Sequence, residues 1–182
     1  MGLYKSAAWK ILLFYLEKPS TEAYVKQLSR QLRLGPGTVS SVCRRLHQEG
    51  LLLPQKRGNV LFYSLDNSSP YVKRLKSAWF LGKLVRFREL YSNPEYQSVA
   101  LFGSYASGEY VEKSDIDVLV VTNVPASSVE SALSSLGAKL KAPLSVTTLT
   151  LARWRELAKH KDRFFIEVLS NHILLRGASI VI

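Results

Sequence analysis

Two apolar runs joined by a polar loop constrain this chain more than any other feature. The first, Val99 to Phe102, stops at Gly103-Ser104; the second, Val118 to Val121, follows directly on Asp115-Ile116-Asp117. A short apolar run that ends on glycine and serine predicts a buried strand entering a turn, where backbone N–H groups can approach an anion. In a strand of period two, Asp115 and Asp117 share one side while Ile116 and Val118 turn into the core. Two like charges side by side repel and call for a cation. Hard oxygen ligands suit Mg²⁺, with Mn²⁺ as the alternative, and Mg²⁺ also takes oxygens from a nucleotide's phosphates. Asp115 and Asp117 are therefore the expected metal ligands. The plainer alternative is a strand, a loop and a strand whose aspartates only cap or solvate the loop.

Phe102-Gly103-Ser104, ten residues, then Asp115-Ile116-Asp117-Val118 resembles the signature of the DNA polymerase β nucleotidyltransferase superfamily. The short form Gly103, Ser104, Ala106, Gly108 is most similar to the minimal nucleotidyltransferases of archaea and bacteria. The resemblance implies that an acceptor hydroxyl attacks the α-phosphorus of a Mg-bound nucleoside triphosphate, expected to be ATP, and that pyrophosphate leaves. Gly103 and Ser104 would then bind the phosphates, and Asp115 and Asp117 would be catalytic as metal ligands. It also implies a third carboxylate on a later strand. In Leu144-Ser145-Val146-Thr147-Thr148-Leu149 that position falls on Ser145, a neutral and weaker ligand that cannot act as a base near neutral pH. The nearest acids downstream are Glu156 and Asp162.

The 182 residues suit one ordinary domain or two small ones, and two is the expectation. No apolar stretch is long enough to span a membrane and no signal-peptide pattern opens the chain, so no membrane partner and a cytoplasmic location are expected. The single cysteine, Cys43, excludes an intrachain disulfide and a thiolate zinc site. The net charge of +11 is uneven: residues 1–66 carry +6, residues 67–91 carry +5, and residues 92–182 are neutral. A basic half beside a neutral half predicts that one part meets a polyanion and the other does something else.

Helical periodicity is expected from Lys5 to Leu16 and, after a Thr21 cap, through Val25, Leu28 and Leu32. A third helix runs between Pro36 and Gly50. Its buried stripe is Val39, Val42, Cys43 and Leu46, leaving Ser40, Ser41, Arg44, Arg45 and Gln48 outside. Leu51 to Leu65 predicts a hairpin with a basic tip, Lys56-Arg57-Gly58-Asn59. This order resembles the winged helix-turn-helix of bacterial and archaeal regulators, which implies double-stranded DNA as partner, a homodimer, and contacts from Ser40, Ser41, Arg44, Arg45, Lys56 and Arg57. A small helical domain with a solvated charged face is the alternative.

A basic helix is predicted from Ser69-Pro70 to at least Leu90, bridging the domains or joining a dimer contact. Beyond Val121 the pattern predicts a helix over Pro125 to Leu136 ended by Gly137, a strand over Leu144 to Leu149, helices over Leu151 to Ala158 and Phe164 to Leu169, and a last strand over Ile173 to Leu175. The expected fold is α/β in two domains: residues 1–66 as a winged helix-turn-helix, residues 67–91 as the bridging helix, and residues 92–182 as a nucleotidyltransferase fold with a short mixed sheet. Two functions follow. Either the chain binds DNA and transfers a nucleoside monophosphate from Mg·NTP to an acceptor hydroxyl, for which similar proteins imply a partner toxin with a HEPN domain, or it is a transcriptional regulator whose nucleotidyltransferase-like domain only binds nucleotide or a partner. An RNA-modifying role is less well supported, because the basic surplus accompanies a helix-turn-helix pattern.

Overall fold

The computed structural model describes residues 6–181, so Lys5, the expected start of the first helix, lies outside the described residues. They divide into two compact units, the first ending at Leu75 and the second beginning at Lys76.

In the first unit Ser6 caps helix α1, Ala7–Glu17, by accepting from the Trp9 N–H at 3.2 Å. Helix α1 buries Ile11, Leu12, Tyr15 and Leu16. The buried Tyr15 hydroxyl donates to the Tyr63 carbonyl at 3.0 Å, joining α1 to the sheet. Thr21 caps nothing. Instead Ala23–Tyr24 form a short strand, β1, paired with Tyr63 and Phe62, and helix α2, Val25–Leu32, starts from Tyr24 without a side-chain cap. Sheet pairing takes the backbone that a Thr21-capped turn would have used. Helix α3, Pro36–Gln48, opens with Pro36 in its first turn and is followed by Gly50 at φ 72°. Strands β2, Leu52–Arg57, and β3, Val60–Leu65, form an antiparallel hairpin in a sheet of order β1-β3-β2. The unit is thus a mixed α/β domain. Val39, Cys43 and Leu46 are buried as their spacing predicts, and burial pushes the Cys43 thiol up to about 11, so at neutral pH it is an uncharged packing group.

The division between units falls inside helix α4, Pro70–Leu84. Its buried residues include Val72, Lys76, Phe80 and Leu84, at a spacing of four. Tyr71 and Val85 are 60% and 57% exposed, while Lys76 is 1% exposed. Its ammonium lies over the Tyr110 ring, 4.8 Å from the centroid, an arrangement that offsets part of the desolvation. The helix stops at Leu84 and does not reach Leu90; a 3₁₀ turn, Arg88–Leu90, follows. Leu84 and Leu90 are both fully buried, and six residues of α-helix would have set them on different faces.

Next come strand β4, Tyr96–Phe102, a one-turn helix α5, Gly103–Ser107, and strand β5, Ile116–Thr122. Helices α6, Ala126–Leu133, and α7, Leu136–Leu140, replace the single helix expected there. Gly137 lies within α7 and does not end it. A Cβ there would meet the Ala142 carbonyl oxygen at 3.0 Å, so the glycine admits the returning chain, and the stop is Lys141 at φ 60°. Strand β6, Leu144–Leu149, helices α8, Leu151–Lys159, and α9, Arg163–Ser170, and strand β7, His172–Gly177, complete the unit. The sheet order is β6-β5-β4-β7, with β5 and β6 parallel and the other pairs antiparallel. One face packs Val99, Leu101, Ile116, Val118 and Val120 against Phe80, Leu84, Val129 and Leu133. The other packs Ala100, Phe102, Leu119 and Val121 against Trp154, Phe165 and Val168. Each large side chain buried this way contributes about 1.5–3 kcal/mol. No helix among the described residues is long and apolar enough to cross a membrane.

Candidate functional site

Alternation along β5 places Asp117 on the same face as Leu119 and Val121, the face covered by α8 and α9. The register then sets a row across one end of the sheet: Ser145, Asp117, Phe102 and His172 are successive partners on β6, β5, β4 and β7. Ser145 is exposed and stands beside Asp117 on the same face, where the resemblance calls for a carboxylate.

At the end of β4 the chain turns through Gly103, at φ 67°, into α5. A Cβ at Gly103 would lie 2.5 Å from Oδ2 of Asp117, so the carboxylate occupies the space that any other residue would fill. The conformation and the contact each require glycine. The Ser104 carbonyl closes α5, accepting from the Glu109 N–H at 2.8 Å and from the Tyr110 N–H at 3.2 Å. Its first backbone N–H groups have no intrahelical acceptor, and Gly103 at their head stands against Asp117. Beneath this turn Ser77 donates to the Ala106 carbonyl at 2.9 Å, and Tyr105 and Tyr110 stack with ring centroids 4.3 Å apart.

Asp115 immediately precedes β5 and is exposed; Asp117 is half-buried. Burial raises the Asp117 pKa above the ordinary carboxylate value, and the negative charges of Asp115 and then Glu167 raise it further. Tyr105 is shifted up by burial and by Asp115. Two neighbouring carboxylates, of which Asp117 is packed against a glycine turn and disfavoured as a bare anion, fit Mg²⁺ chemically. Two carboxylates alone are an incomplete set, and no three His, Cys, Asp or Glu side chains among the described residues are grouped closely enough to hold a metal. Glu167 carries no signal in the sequence because it sits on a helix and belongs to no motif. Only the packing of α9 across the sheet brings its charge near Asp117. A cleft of about 680 Å³, lined in part by Glu130, Lys141, Leu144 and Val146, opens on the opposite side of β6 and belongs to a different surface.

In the first unit Ser41, Arg44 and Arg45 are exposed on α3 and Ser40 is half-buried. Arg45 pairs with Glu49 at 3.1 Å, an exposed pair worth little. Lys56 and Arg57 point to opposite faces of the hairpin, because neighbours in a strand alternate. Arg57 binds Glu22 at 2.6 Å and lies 5.2 Å from the Phe62 ring centroid, which ties it to the hairpin's far side. Arg44 and Arg45 are exposed on α3, while Arg57 is engaged by Glu22 and the Phe62 ring.

Comparison with known proteins bears on the second unit. Residues 84–173 match the family described as Nucleotidyltransferase domain. A curated relative from Methanocaldococcus jannaschii, named "Putative protein adenylyltransferase MJ1215", is 54% identical over 33 residues, a stretch spanning 18% of this chain and 38% of that protein. Among solved structures, a toxin-antitoxin complex with AMP-PNP is 22% identical at a TM-score of 0.38, over 55% of this chain and 73% of that one. A "Possible transcriptional regulator" from Methanosarcina mazei Go1 is 19% identical at 0.33, over 48% of this chain and 79% of that one. Overlays this loose carry no function across. The glycine turn, the aspartate pair and the family match together establish that residues 84–173 form a nucleotidyltransferase domain of the DNA polymerase β type, following an N-terminal mixed α/β domain.

Proposed function

We propose that the second unit binds a nucleoside triphosphate, ATP by preference, and transfers its nucleoside monophosphate to the hydroxyl of a protein partner. The observation that carries this is the contact of the Asp117 carboxylate with the Gly103 backbone, beside Asp115, where β4 breaks into α5. Asp115 and Asp117 would hold Mg²⁺ or Mn²⁺, which when bound neutralises charge on the phosphates and on the two carboxylates. The N–H groups of Gly103 and Ser104 and the Ser104 hydroxyl bind the phosphates and set the α-phosphorus in line with the acceptor. The acceptor oxygen forms the new bond to that phosphorus as the bond to pyrophosphate breaks. Ser145 cannot take the acceptor's proton, and its pairing with Asp117 favours a second reading: a domain that binds nucleotide or a partner without turnover.

The test is a melting curve with each of the four common nucleotides, with and without Mg²⁺. A ligand at one hundred times its Kd stabilises by about 2.7 kcal/mol, which corresponds to about 10 °C for a unit of this size. Transfer of a labelled monophosphate to a candidate acceptor, a HEPN-domain toxin first, then separates the two readings. A chain stabilised by none of the nucleotides loses the transfer reading and leaves only partner binding.

For the first unit we propose a winged helix-turn-helix that binds duplex DNA as a homodimer, supported by the exposed Arg44 and Arg45 on α3. Arg44→Ala with Arg45→Ala should weaken duplex binding and lower the slope of log affinity against log salt by about 2. Unchanged affinity and slope in a filter or anisotropy assay would reject the surface.

A further inference from the structure

The three acids that follow Ser145 before the last strand have different employments. Glu156 pairs with Arg153 at 2.6 Å on α8. Asp162 caps α9, accepting from the Phe164 N–H at 2.8 Å. Glu167 makes no ion pair among the described residues and is exposed. Helix α9 lies across the sheet face that carries Asp117, burying Phe165 and Val168 against Ala100, Phe102 and Leu119. Phe164 meets Phe102 edge-on with ring centroids 5.7 Å apart, and Phe102 is the register partner of Asp117. Three residues on, Glu167 flanks Phe164 on the helix surface, so the same packing that seats Phe164 on Phe102 brings a carboxylate to the Asp117 end of the sheet.

We propose that Glu167, carried on a helix packed over the sheet, supplies the third negative charge of the nucleotide site that Ser145 on β6 does not. This rests on the Mg·nucleotide reading above. Glu167 is a positioning residue: no trio of the described residues is grouped tightly enough to ligate a metal, so its charge acts at outer-sphere range on the cation held by Asp115 and Asp117. Moving the third charge from a strand to a helix flank also leaves the Ser145 side of Asp117 uncharged, which gives an acceptor a neutral approach.

The experiment is an Mg²⁺ titration of the full chain at saturating ATP, followed by melting temperature, with Mn²⁺ binding by electron paramagnetic resonance as a second readout. A unit charge acting on a divalent ion through solvent changes affinity about three- to tenfold, so Glu167→Gln should raise the half-saturating Mg²⁺ concentration by that factor. Glu167→Asp should stay near wild type, and Glu156→Gln should match it. Ser145→Asp placed in the Glu167→Gln chain should bring the midpoint back. Added salt should shrink the difference, as it does for exposed charges. A structural role alone would lower the ligand-free melting temperature of Glu167→Gln and leave the midpoint unmoved, which overturns the proposal. If Mg·ATP shifts the wild type and Asp117→Asn abolishes the shift while Glu167→Gln is silent, only the Glu167 assignment falls. If the wild type shows no Mg²⁺ dependence, the nucleotide reading falls and takes this one with it.

Discussion

Gly103→Ala is expected to eliminate the Mg·ATP-dependent rise in melting temperature and to lower the melting temperature of the ligand-free chain. Two costs coincide at this position. At φ 67° the backbone is left-handed, where an L-residue loses about 1–2 kcal/mol, or about 5–10 °C in a unit of this size. The new methyl would also lie 2.5 Å from Oδ2 of Asp117, so the carboxylate must rotate away. The first cost is general and the second is specific to the site. Gly58→Ala separates them: Gly58 has φ 59° and, beyond its own chain neighbours, no atom within 4 Å of where a methyl would sit, so it bears the backbone strain alone and should leave the nucleotide response intact. A Gly103→Ala chain that keeps the wild-type Mg·ATP shift would show that Asp117 does not need its present position.

Asp117→Asn should do two opposite things at neutral pH, abolishing the Mg·ATP shift while raising the melting temperature of the ligand-free protein. The Asp117 pKa is raised in the folded state, first by burial, then by Asp115 and Glu167. Against an unfolded value of about 3.9, the native state holds its proton to higher pH. Between the two values the native form binds more protons than the unfolded form, so unfolding free energy falls as pH rises through that window and stays lower above it. The ionised carboxylate is thus a standing destabilisation that a bound cation relieves. Asparagine keeps the shape and removes the charge. The variant's advantage should therefore grow from acid toward neutral pH, open through the window above the ordinary carboxylate value, and level off beyond it. Thermal melts of both chains across that range check the sign. An asparagine variant less stable than wild type at neutral pH without ligand would mean that the charge is satisfied within the protein.

Local chemistry wrote several elements plainly into the chain. Pro36 and Gly50 bracket α3, and the run Val118 to Val121 can only be a buried strand at its length. Gly103, closing an apolar run, marks a turn by residue type alone. Elements that local pattern missed share a cause: each depends on a partner far away in sequence. The strand Ala23–Tyr24 exists because β3 offers it hydrogen bonds, and two residues carry no periodicity of their own. Helix α4 ends at Leu84 because Leu90 has a place in the same core. Gly137 sits inside a helix because the Ala142 carbonyl approaches it, a use of glycine that sequence cannot tell from a stop.

The site divides the same way. Residue types and spacing determined the glycine turn, the aspartate pair and the absence of a carboxylate anywhere on Leu144 to Leu149, because those properties belong to consecutive residues. Tertiary structure alone decided that Oδ2 of Asp117 rests against Gly103, that β6 pairs in parallel so Ser145 falls beside Asp117, and that α9 brings Glu167 to the same end of the sheet. Strand register and helix docking are set by which apolar faces bury together over long separations in the chain, here Phe102 with Phe164 and Leu119 with Trp154, Phe165 and Val168. A charge carried on such a helix therefore acquires its neighbours only when the core closes.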